Sequence, residues 1–289
     1  MSELLVLLHQ KEEIVAVDTA TGSARTVVES TGGGPDGIAL AEGYIFYSTM
    51  GTPRPNGTQE GDYSSPDGGI HRVAFDGTAA TGPVEDLVAT DDARFTTGKQ
   101  LIYADGALYV GDREGHKVWR VTDPAGAAQL EQLVATDPAG SWRTTPVGVA
   151  VHDGTLYWTQ KGPSKGGHGS IHAAELTQLG ADAVDPGSTL VDGLPEPIDL
   201  AVVGDYMYWT DRGAEPDGNS LNRAPLADLS QVEVVVRGLH EAIGLALDPA
   251  GSAVWVSDLS GTIYRVDTET SEATAVAHLD TPATGIVFV

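Results

Sequence analysis

Short apolar strands recur along the chain, separated by turns rich in glycine and aspartate. Apolar residues alternate with polar or small ones over short runs, which is the period of a β-strand with one buried face. Strand-like runs centred on residues 46, 109, 157, 208 and 255 follow one another at intervals of 63, 48, 51 and 47 residues. A repeat of roughly 40 to 50 residues that contains several strands is typical of β-propeller blades.

Each of these runs opens with an aromatic residue and forms a four-residue unit. The units are FYST at 46–49, YVGD at 109–112, YWTQ at 157–160, YWTD at 208–211 and WVSD at 255–258. An apolar strand such as 244–247 precedes the unit, and two more strands, such as 263–266 and 233–236, come after it. The unit therefore predicts the second of four strands in a blade.

The two ends of the chain complete the pattern. Five repeats leave residues 285–289 as an innermost strand, while residues 5–8, 14–17 and 25–28 have the pattern of a second, third and fourth strand. We therefore predict one all-β domain over residues 1–289, a six-bladed β-propeller with four antiparallel strands per blade. The ring is closed by N- and C-terminal strands that share one blade, which leaves no open propeller edge.

The unit at 208–211 is the literal motif of the YWTD propellers, the class B repeats of low-density-lipoprotein receptors, and the chain resembles that family along nearly its whole length. It is also similar to small stand-alone microbial proteins of this type along residues 157–167, 194–200, 211–213 and 240–244. The resemblance implies the propeller fold. Because the chain has no cysteine-rich modules, a receptor-type role does not follow.

The composition limits the partners of such a propeller. Hydrophobic residues make up 41% and charged residues 20%, a balance typical of a folded core. The net charge of −25 repels phosphate backbones and anionic membranes, so we expect neither nucleic acid nor a membrane as partner. With no cysteine, disulfides and thiolate chemistry are excluded. The N-terminus has no signal-peptide pattern and no apolar stretch approaches the roughly 20 residues of a membrane span, so we expect a cytoplasmic protein. We also expect a monomer.

Loops between blades and loops between second and third strands lie on one face of a propeller, here called the top face. The catalytic candidates in these loops are Lys161, Glu196, His240 and Glu241. The candidates for substrate binding are Asp36, Tyr63, Arg94, Gln100, Trp142, His168, Asp199, Arg212 and Asn219. A lysine, carboxylates and a histidine in one pocket can move a proton or stabilise an oxyanion. We expect Lys161, Glu196 and His240 to share one cavity; the alternative is that they only tie loops together.

Other polar residues follow the repeat and are assigned to structure. Asp112, Asp211 and Asp258 each hold the fourth place of a unit, and Arg72, Arg120, Arg223 and Arg265 hold equivalent places in third strands. We expect the aspartates to be structural and the arginines to hold blades together.

Sequence motifs for cofactors and nucleophiles are missing. The chain has no D-x-D-x-D-G loop, HExxH, P-loop or G-x-S-x-G elbow, so we expect no metal site and no cofactor. Ca²⁺ or Mg²⁺ held by carboxylates around the axis, as in gluconolactonase-like propellers, is the weaker alternative.

The longest irregular segment, residues 51–68, contains Tyr63 among several prolines and glycines, and we interpret it as a lid over the top face.

Two functions are compatible with these features. The first is a small-molecule enzyme of specialised metabolism, with cofactor-independent cycloaddition, lyase or hydrolase chemistry in an axial pocket of the top face. The second is a non-catalytic propeller that binds a peptide or protein there. A deep pocket with a buried histidine or glutamate favours the enzyme, and a flat face with exposed aromatic residues favours the protein partner.

Overall fold

The computed structural model describes residues 2–57, 61–136, 144–180 and 187–289. Within these ranges 24 strands form six antiparallel sheets of four, which confirms the six-bladed propeller. The first strand of a blade lies at the axis and is called its inner strand. The unit of each repeat falls in the second strand, as predicted.

The strands of the six blades follow the sequence order except in blade 1. Blade 1 consists of β24 (Ala283–Phe288), β1 (Glu3–Leu8), β2 (Glu13–Asp18) and β3 (Ala24–Val28). Blade 2 consists of β4 (Pro35–Ala41), β5 (Tyr44–Thr49), β6 (Gly69–Ala74) and β7 (Glu85–Val88). Blade 3 consists of β8 (Gly98–Ala104), β9 (Ala107–Asp112), β10 (Lys117–Thr122) and β11 (Gln129–Ala135). Blade 4 consists of β12 (Pro146–His152), β13 (Thr155–Gln160), β14 (Gly169–Glu175) and β15 (Ser188–Leu194). Blade 5 consists of β16 (Pro197–Val203), β17 (Tyr206–Asp211), β18 (Ser220–Pro225) and β19 (Glu233–Arg237). Blade 6 consists of β20 (Ala242–Leu247), β21 (Ala253–Asp258), β22 (Thr262–Asp267) and β23 (Ala273–His278).

Blade 1 closes the ring in the predicted way. The inner strand β24 pairs antiparallel with β1, placing Leu4 opposite Phe288 and Val6 opposite Ile286. The strand is part of the core, because Ala283 and Ile286 pack with the apolar side chains of β1 and β21. Joining both ends of the chain in one sheet leaves no unpaired inner edge in the ring.

Hydroxyl groups in the third place of the unit join neighbouring inner strands. Thr159 accepts a bond from the N–H of Gly148 in its own blade at 2.8 Å and donates to the carbonyl of Ile198 in the next blade at 2.7 Å. Thr210, Ser48 and Ser257 make the same pair of bonds in blades 5, 2 and 6. The hydroxyl therefore satisfies two buried backbone groups and joins two blades.

The aspartates at the fourth place of the unit and two of the four third-strand arginines have the structural roles predicted for them. Asp112 accepts bonds from the N–H groups of Thr97 and Gly115, and so joins an inter-blade loop to the turn after β9. Asp211 and Asp258 make comparable bonds. Arg72 and Arg223 each pair with a glutamate of the adjacent strand and also donate to a carbonyl of the next blade. Arg120 pairs with Glu131 inside its blade, and Arg265 lies 3.9 Å from Asp267.

Two further observations concern the described residues only. Their helical structure consists of a 3₁₀ turn at Leu176–Gln178, and no helix among them is long and apolar enough to cross a membrane. They contain no group of three or more histidine, aspartate or glutamate side chains arranged around a common point for a metal ion. The expectation about metals stays a prediction.

Candidate functional site

The residue that directly follows each four-residue unit lies at the top end of the axis. Its N–H donates to the carbonyl of the residue just before an inner strand, as from Lys161 to Thr145 at 3.0 Å and from Arg212 to Glu196 at 3.1 Å. The residues in this ring, from blade 1 to blade 6, are His9, Met50, Arg113, Lys161, Arg212 and Leu259. Blades 3, 4 and 5 thus contribute three cationic side chains in succession.

Glu196 is the centre of the ion pairs in this ring. Its carboxylate has no exposed surface and receives Lys161 Nζ at 3.0 Å and Arg212 Nε at 2.7 Å, both on Oε1. The backbone N–H of Lys165 donates to Oε2 at 2.7 Å. Because the side chains come from loops of two blades, the network fixes the loops of blades 4 and 5 against each other. A buried carboxylate is stable here only because it has these partners.

A second carboxylate extends the network to blade 6. Glu241 accepts a bond from Lys165 Nζ at 3.0 Å and lies 3.9 Å from Arg212 NH1. Its own N–H donates to Asn219 Oδ1 at 3.0 Å. Lys165, Asn219 and Glu241 all have positive φ angles, of 53°, 51° and 58°. Such angles are uncommon outside glycine and concentrate at functional sites, so this tightly turned part of the top face is a candidate site.

Burial changes the proton affinities of the buried cations. It lowers the pKa of Lys161, against the opposing effect of the Glu196 carboxylate and with the help of nearby Arg113. Burial also lowers the pKa of Lys99, against the opposing effect of the Asp36 carboxylate. A lysine with a lowered pKa gives up its proton more readily than an exposed one, which is a property of many catalytic lysines.

A shallow cavity of about 320 Å³ opens on the top face beside this network. Its lining residues are Lys165, Asn219, His240, Glu241, Leu259 and Ser260. Lys161 and Glu196 do not line it, since they lie beneath Lys165 as buried partners. The prediction that Lys161, Glu196 and His240 share one cavity is therefore wrong. The His240 side chain is exposed, and the backbone N–H of His240 donates to Asp258.

The opposite side of the top face has its own buried ion pair. Lys99 Nζ lies 2.7 Å from Asp36 Oδ1 and 3.0 Å from Met50 Sδ. Gln100 Nε2 donates to both the backbone oxygen and the Oδ2 of Asp36 at 3.0 Å. Asp36 and Gln100 are thus brought together as polar contacts between blades 2 and 3, and Lys99 neutralises the carboxylate.

The described part of the long segment 51–68 lies over this side. The Tyr63 ring is 5.5 Å from the guanidinium of Arg113, and its hydroxyl lies 3.4 Å from His9 Nε2. The side chain is buried, and its backbone oxygen accepts a bond from Thr97. Tyr63 therefore anchors the segment on the ring of residues at the axis. Whether the segment opens and closes as a lid stays a prediction.

The remaining candidates that the structure describes are not among the residues that line the top-face cavity. Arg94 is exposed and pairs with Asp92 two residues earlier at 2.5 Å, and its assignment to substrate binding stays a prediction. His168 is exposed in the loop after β13. Asp199 is buried deeper in the axial channel, below the ring. Trp142 lies outside the described residues.

Two polar groups of the top face were not identified from the sequence, the buried Lys99 and the half-buried His9. Lys99 lies in β8 directly before the candidate Gln100, and His9 follows a unit, LVLL at 5–8, that has lost its aromatic residue. The signal that could identify His9 is its place directly after the unit, the same place that holds Lys161 and Arg212.

The comparisons with known proteins identify the fold and the family. No protein family model matches the chain. It is 38% identical to low-density lipoprotein receptor-related protein 1 of the fungus Pyricularia oryzae over 290 residues, covering 92% of this chain and 88% of the relative. It is 34% identical to the 3-hydroxyacyl-CoA dehydrogenase-like protein LAM1 of Cochliobolus heterostrophus over 273 residues, which are 82% of this chain and 52% of that relative. The chain thus spans about half the length of LAM1.

A solved structure agrees with the assignment of the fold. The match is to a structure of the nidogen/laminin complex, with a TM-score of 0.74 over 100% of this chain and 98% of that one, at 13% identity. That likeness establishes the six-bladed architecture. Given 38% identity over most of both sequences to the fungal relative, the chain belongs to the family of low-density lipoprotein receptor-related protein 1-like YWTD propellers.

Proposed function

We propose that the chain binds a small anionic organic molecule in the top-face cavity and moves a proton on it. The observation that carries this proposal is the charge balance at the cavity. Three cationic groups, Lys161, Lys165 and Arg212, share two carboxylates, Glu196 and Glu241. Within this ion-pair network the cationic groups outnumber the carboxylates by one, which favours an anion at Lys165 on a chain of net charge −25. Two further carboxylates, Asp258 and Glu215, are occupied by bonds from the lining residues Ser260 and Asn219.

The lining residues have suitable roles for such chemistry. His240 and Glu241 reach the cavity and can donate or accept a proton, and the Lys165 ammonium can stabilise a developing oxyanion. Asn219 adds an amide for orientation. Lys161, Glu196 and Arg212 act as positioning residues, because their ion pairs hold Lys165 from below. The cavity of about 320 Å³ is at the small end of the range for ligand sites and suits a small metabolite.

Hydrogen–deuterium exchange can test this function without knowledge of the product. Small keto acids and hydroxy acids are incubated with the chain in D₂O, and exchange at the carbon next to the carboxylate or carbonyl is followed by proton NMR. We expect exchange by the wild type and a loss of roughly 100-fold in His240→Gln or Glu241→Gln. His278→Gln, an exposed histidine on the outer strand of blade 6, is the control and keeps the wild-type rate.

The alternative function is peptide binding, and one observation favours it. A groove of about 660 Å³ lies between β15 and β19, with Asp192, Asp217 and the 41% exposed Val232 among its lining residues. Arg237 also lines the groove and pairs with Asp217 at 3.2 Å, so the exposed Asp192 is the carboxylate that would receive a basic peptide with an apolar side chain. If no small acid binds or exchanges its hydrogen for deuterium, and a basic peptide protects Val232 from solvent, peptide binding replaces proton transfer as the proposed function.

A further inference from the structure

The lower half of the axial channel contains a second cavity, on the side opposite the top face. Its volume is about 280 Å³, and five inner strands line it. The walls are apolar, with Leu40, Tyr103, Leu247 and Phe288 half-buried where the strands end. The polar side chains on its lining are Gln100, Asp199 and Tyr103, and the Tyr103 hydroxyl donates to Glu42.

A layer of side chains above Gln100 and Asp199 separates this cavity from the top face. Val147, Ile198 and Ile243 pack together at the axis from blades 4, 5 and 6. The ion pair between Asp36 of blade 2 and Lys99 of blade 3 lies at the same level. A ligand in the lower cavity therefore enters from the bottom and occupies a different site from the one proposed on the top face.

The repeat is broken at this level. The third residue of each inner strand, from blade 1 to blade 6, is Gly285, Gly37, Gln100, Gly148, Asp199 and Gly244. A Cβ at Gly148 or Gly244 would lie 2.2 or 2.3 Å from a carbonyl oxygen of the next inner strand, so the close packing of these strands requires glycine. Two blades carry polar side chains instead, and such departures from a repeat concentrate at functional positions.

Asp199 has no cationic partner in the described part of the chain. Its Oδ1 and Oδ2 accept bonds from the backbone N–H groups of Leu200 and Leu245, both at 2.9 Å. Burial, with a smaller contribution from the Asp36 charge, raises its pKa to about 7. An unpaired carboxyl group at the end of an apolar cavity is costly in its charged form unless a cation joins it.

Few charged groups on the neighbouring strands act on this carboxyl. Asp36 is itself paired with Lys99, and β20 and β24 carry no titratable side chain. The other titratable groups on strands near β16 are Tyr103, His152, Tyr157, His172, Glu175, Tyr206, Tyr208 and Asp211. Of all these groups, Asp36 is the one that raises the Asp199 pKa through its charge.

We propose that this cavity binds a small apolar amine, with its ammonium group on Asp199 and its hydrocarbon part between the apolar side chains of the lower mouth. Gln100 uses its NH₂ group on Asp36, which leaves its side-chain oxygen to accept a second N–H of the ammonium. At about 30 Å³ per water-sized group, 280 Å³ holds roughly nine heavy atoms. That is the size of 2-phenylethylamine, which serves as the probe.

Calorimetry with matched ligands tests the proposal. We expect wild-type protein to bind 2-phenylethylamine at least tenfold more tightly than 2-phenylethanol, its neutral isostere, and Asp199→Asn to lose that preference. Asp205→Asn removes an exposed carboxylate from the hairpin after β16 and controls for general attraction to an acidic protein. Amine binding should tighten from pH 6 to pH 8 and release protons, since the ligand selects ionised Asp199.

A second variant keeps the test decisive if Asp199→Asn folds poorly. Ala201→Leu reduces the cavity without changing the carboxyl group, and we expect it to weaken amine binding at least tenfold. Equal affinity for the amine and the alcohol in the wild type, or unchanged amine binding in a folded Asp199→Asn or Ala201→Leu protein, would overturn the proposal.

Discussion

Glu196 shows how strongly burial decides the role of a single residue at this site. Its carboxylate is fully buried and holds two cationic side chains and one backbone N–H, so no ligand reaches it while the network is intact. The exposed His240 and half-buried Glu241 contact the cavity instead. We therefore assign proton transfer to the lining residues, whereas the buried residues stabilise the fold.

Glu196→Gln should lower the free energy of unfolding by about 3 kcal/mol or more, because it removes the buried charge that both Lys161 Nζ and Arg212 Nε contact. Urea denaturation measures this change. Glu175→Gln, on an exposed side chain that accepts one bond from Thr155, should cost less than about 1 kcal/mol. Similar small losses for both variants would mean that the buried network contributes little.

Asp199 should make stability depend on pH in an unusual direction. Its pKa is about 7 in the folded chain against 3.8 ordinarily, so the folded state binds more protons between these values. This contribution to stability is present below about pH 4 and is lost as pH rises through 7. Relative to wild type, Asp199→Asn should gain about 3 kcal/mol between pH 5 and pH 8 in urea denaturation. Parallel stability curves for the two proteins would refute the raised pKa.

At the scale of elements, the third place of the unit is the principal connection between neighbouring inner strands. Thr210 bonds the N–H of Asp199 at 3.0 Å and the carbonyl of Ile243 at 2.7 Å. Blade 3 has Gly111 there, where a Cβ would lie 2.5 Å from the Val147 oxygen. Blades 2 to 6 are thus joined to the next blade either by this hydroxyl or by direct backbone approach. Blade 1 has Leu7 at this place, and the inner-strand Thr284 donates to the Pro35 carbonyl of blade 2 instead.

Thr210→Val keeps the shape of the side chain and removes the hydroxyl, so it should cost roughly 2 to 4 kcal/mol by leaving a buried donor and acceptor unpaired. Thr189→Val on the exposed part of β15 is the matched control and should be near neutral. Thermal and urea unfolding of both variants give the comparison. A neutral Thr210→Val would show that water or a small shift replaces the bonds.

The strands were predictable from the sequence because the local period and the aromatic residue of the unit mark them directly. The pairing of Lys99 with Asp36 was not, because it joins inner strands 63 residues apart and depends on which side chains meet across blades. The depth of Lys161 and Glu196 was not predictable for a related reason. Their loops were predicted on the correct face, but the buried ion pair between them holds both side chains below the cavity, and no periodicity encodes depth.

At the scale of the whole molecule, stability depends on blade 1, where the two ends of the chain meet. Removing residues 285–289 deletes the side chain of Ile286 and most of the pairing with β1, and it exposes the inner strands on either side. We expect a loss of about 4 kcal/mol or more, observed as a lower and less cooperative thermal transition. Removing the exposed Val289 alone should cost about 1 kcal/mol. An unchanged transition in the shorter chain would contradict closure through β24.

The central claim is that Lys165, at the exposed end of the buried ion-pair network, binds a small anion in the top-face cavity. Its most direct test is the affinity of the carboxylate that binds best in a panel of small organic acids, measured by calorimetry for wild type, Lys165→Met and Lys11→Met. We predict that Lys165→Met weakens binding at least tenfold, because it removes the ammonium group that lines the cavity, while the exposed Lys11→Met control binds like wild type. Equal affinity in all three proteins would contradict the account.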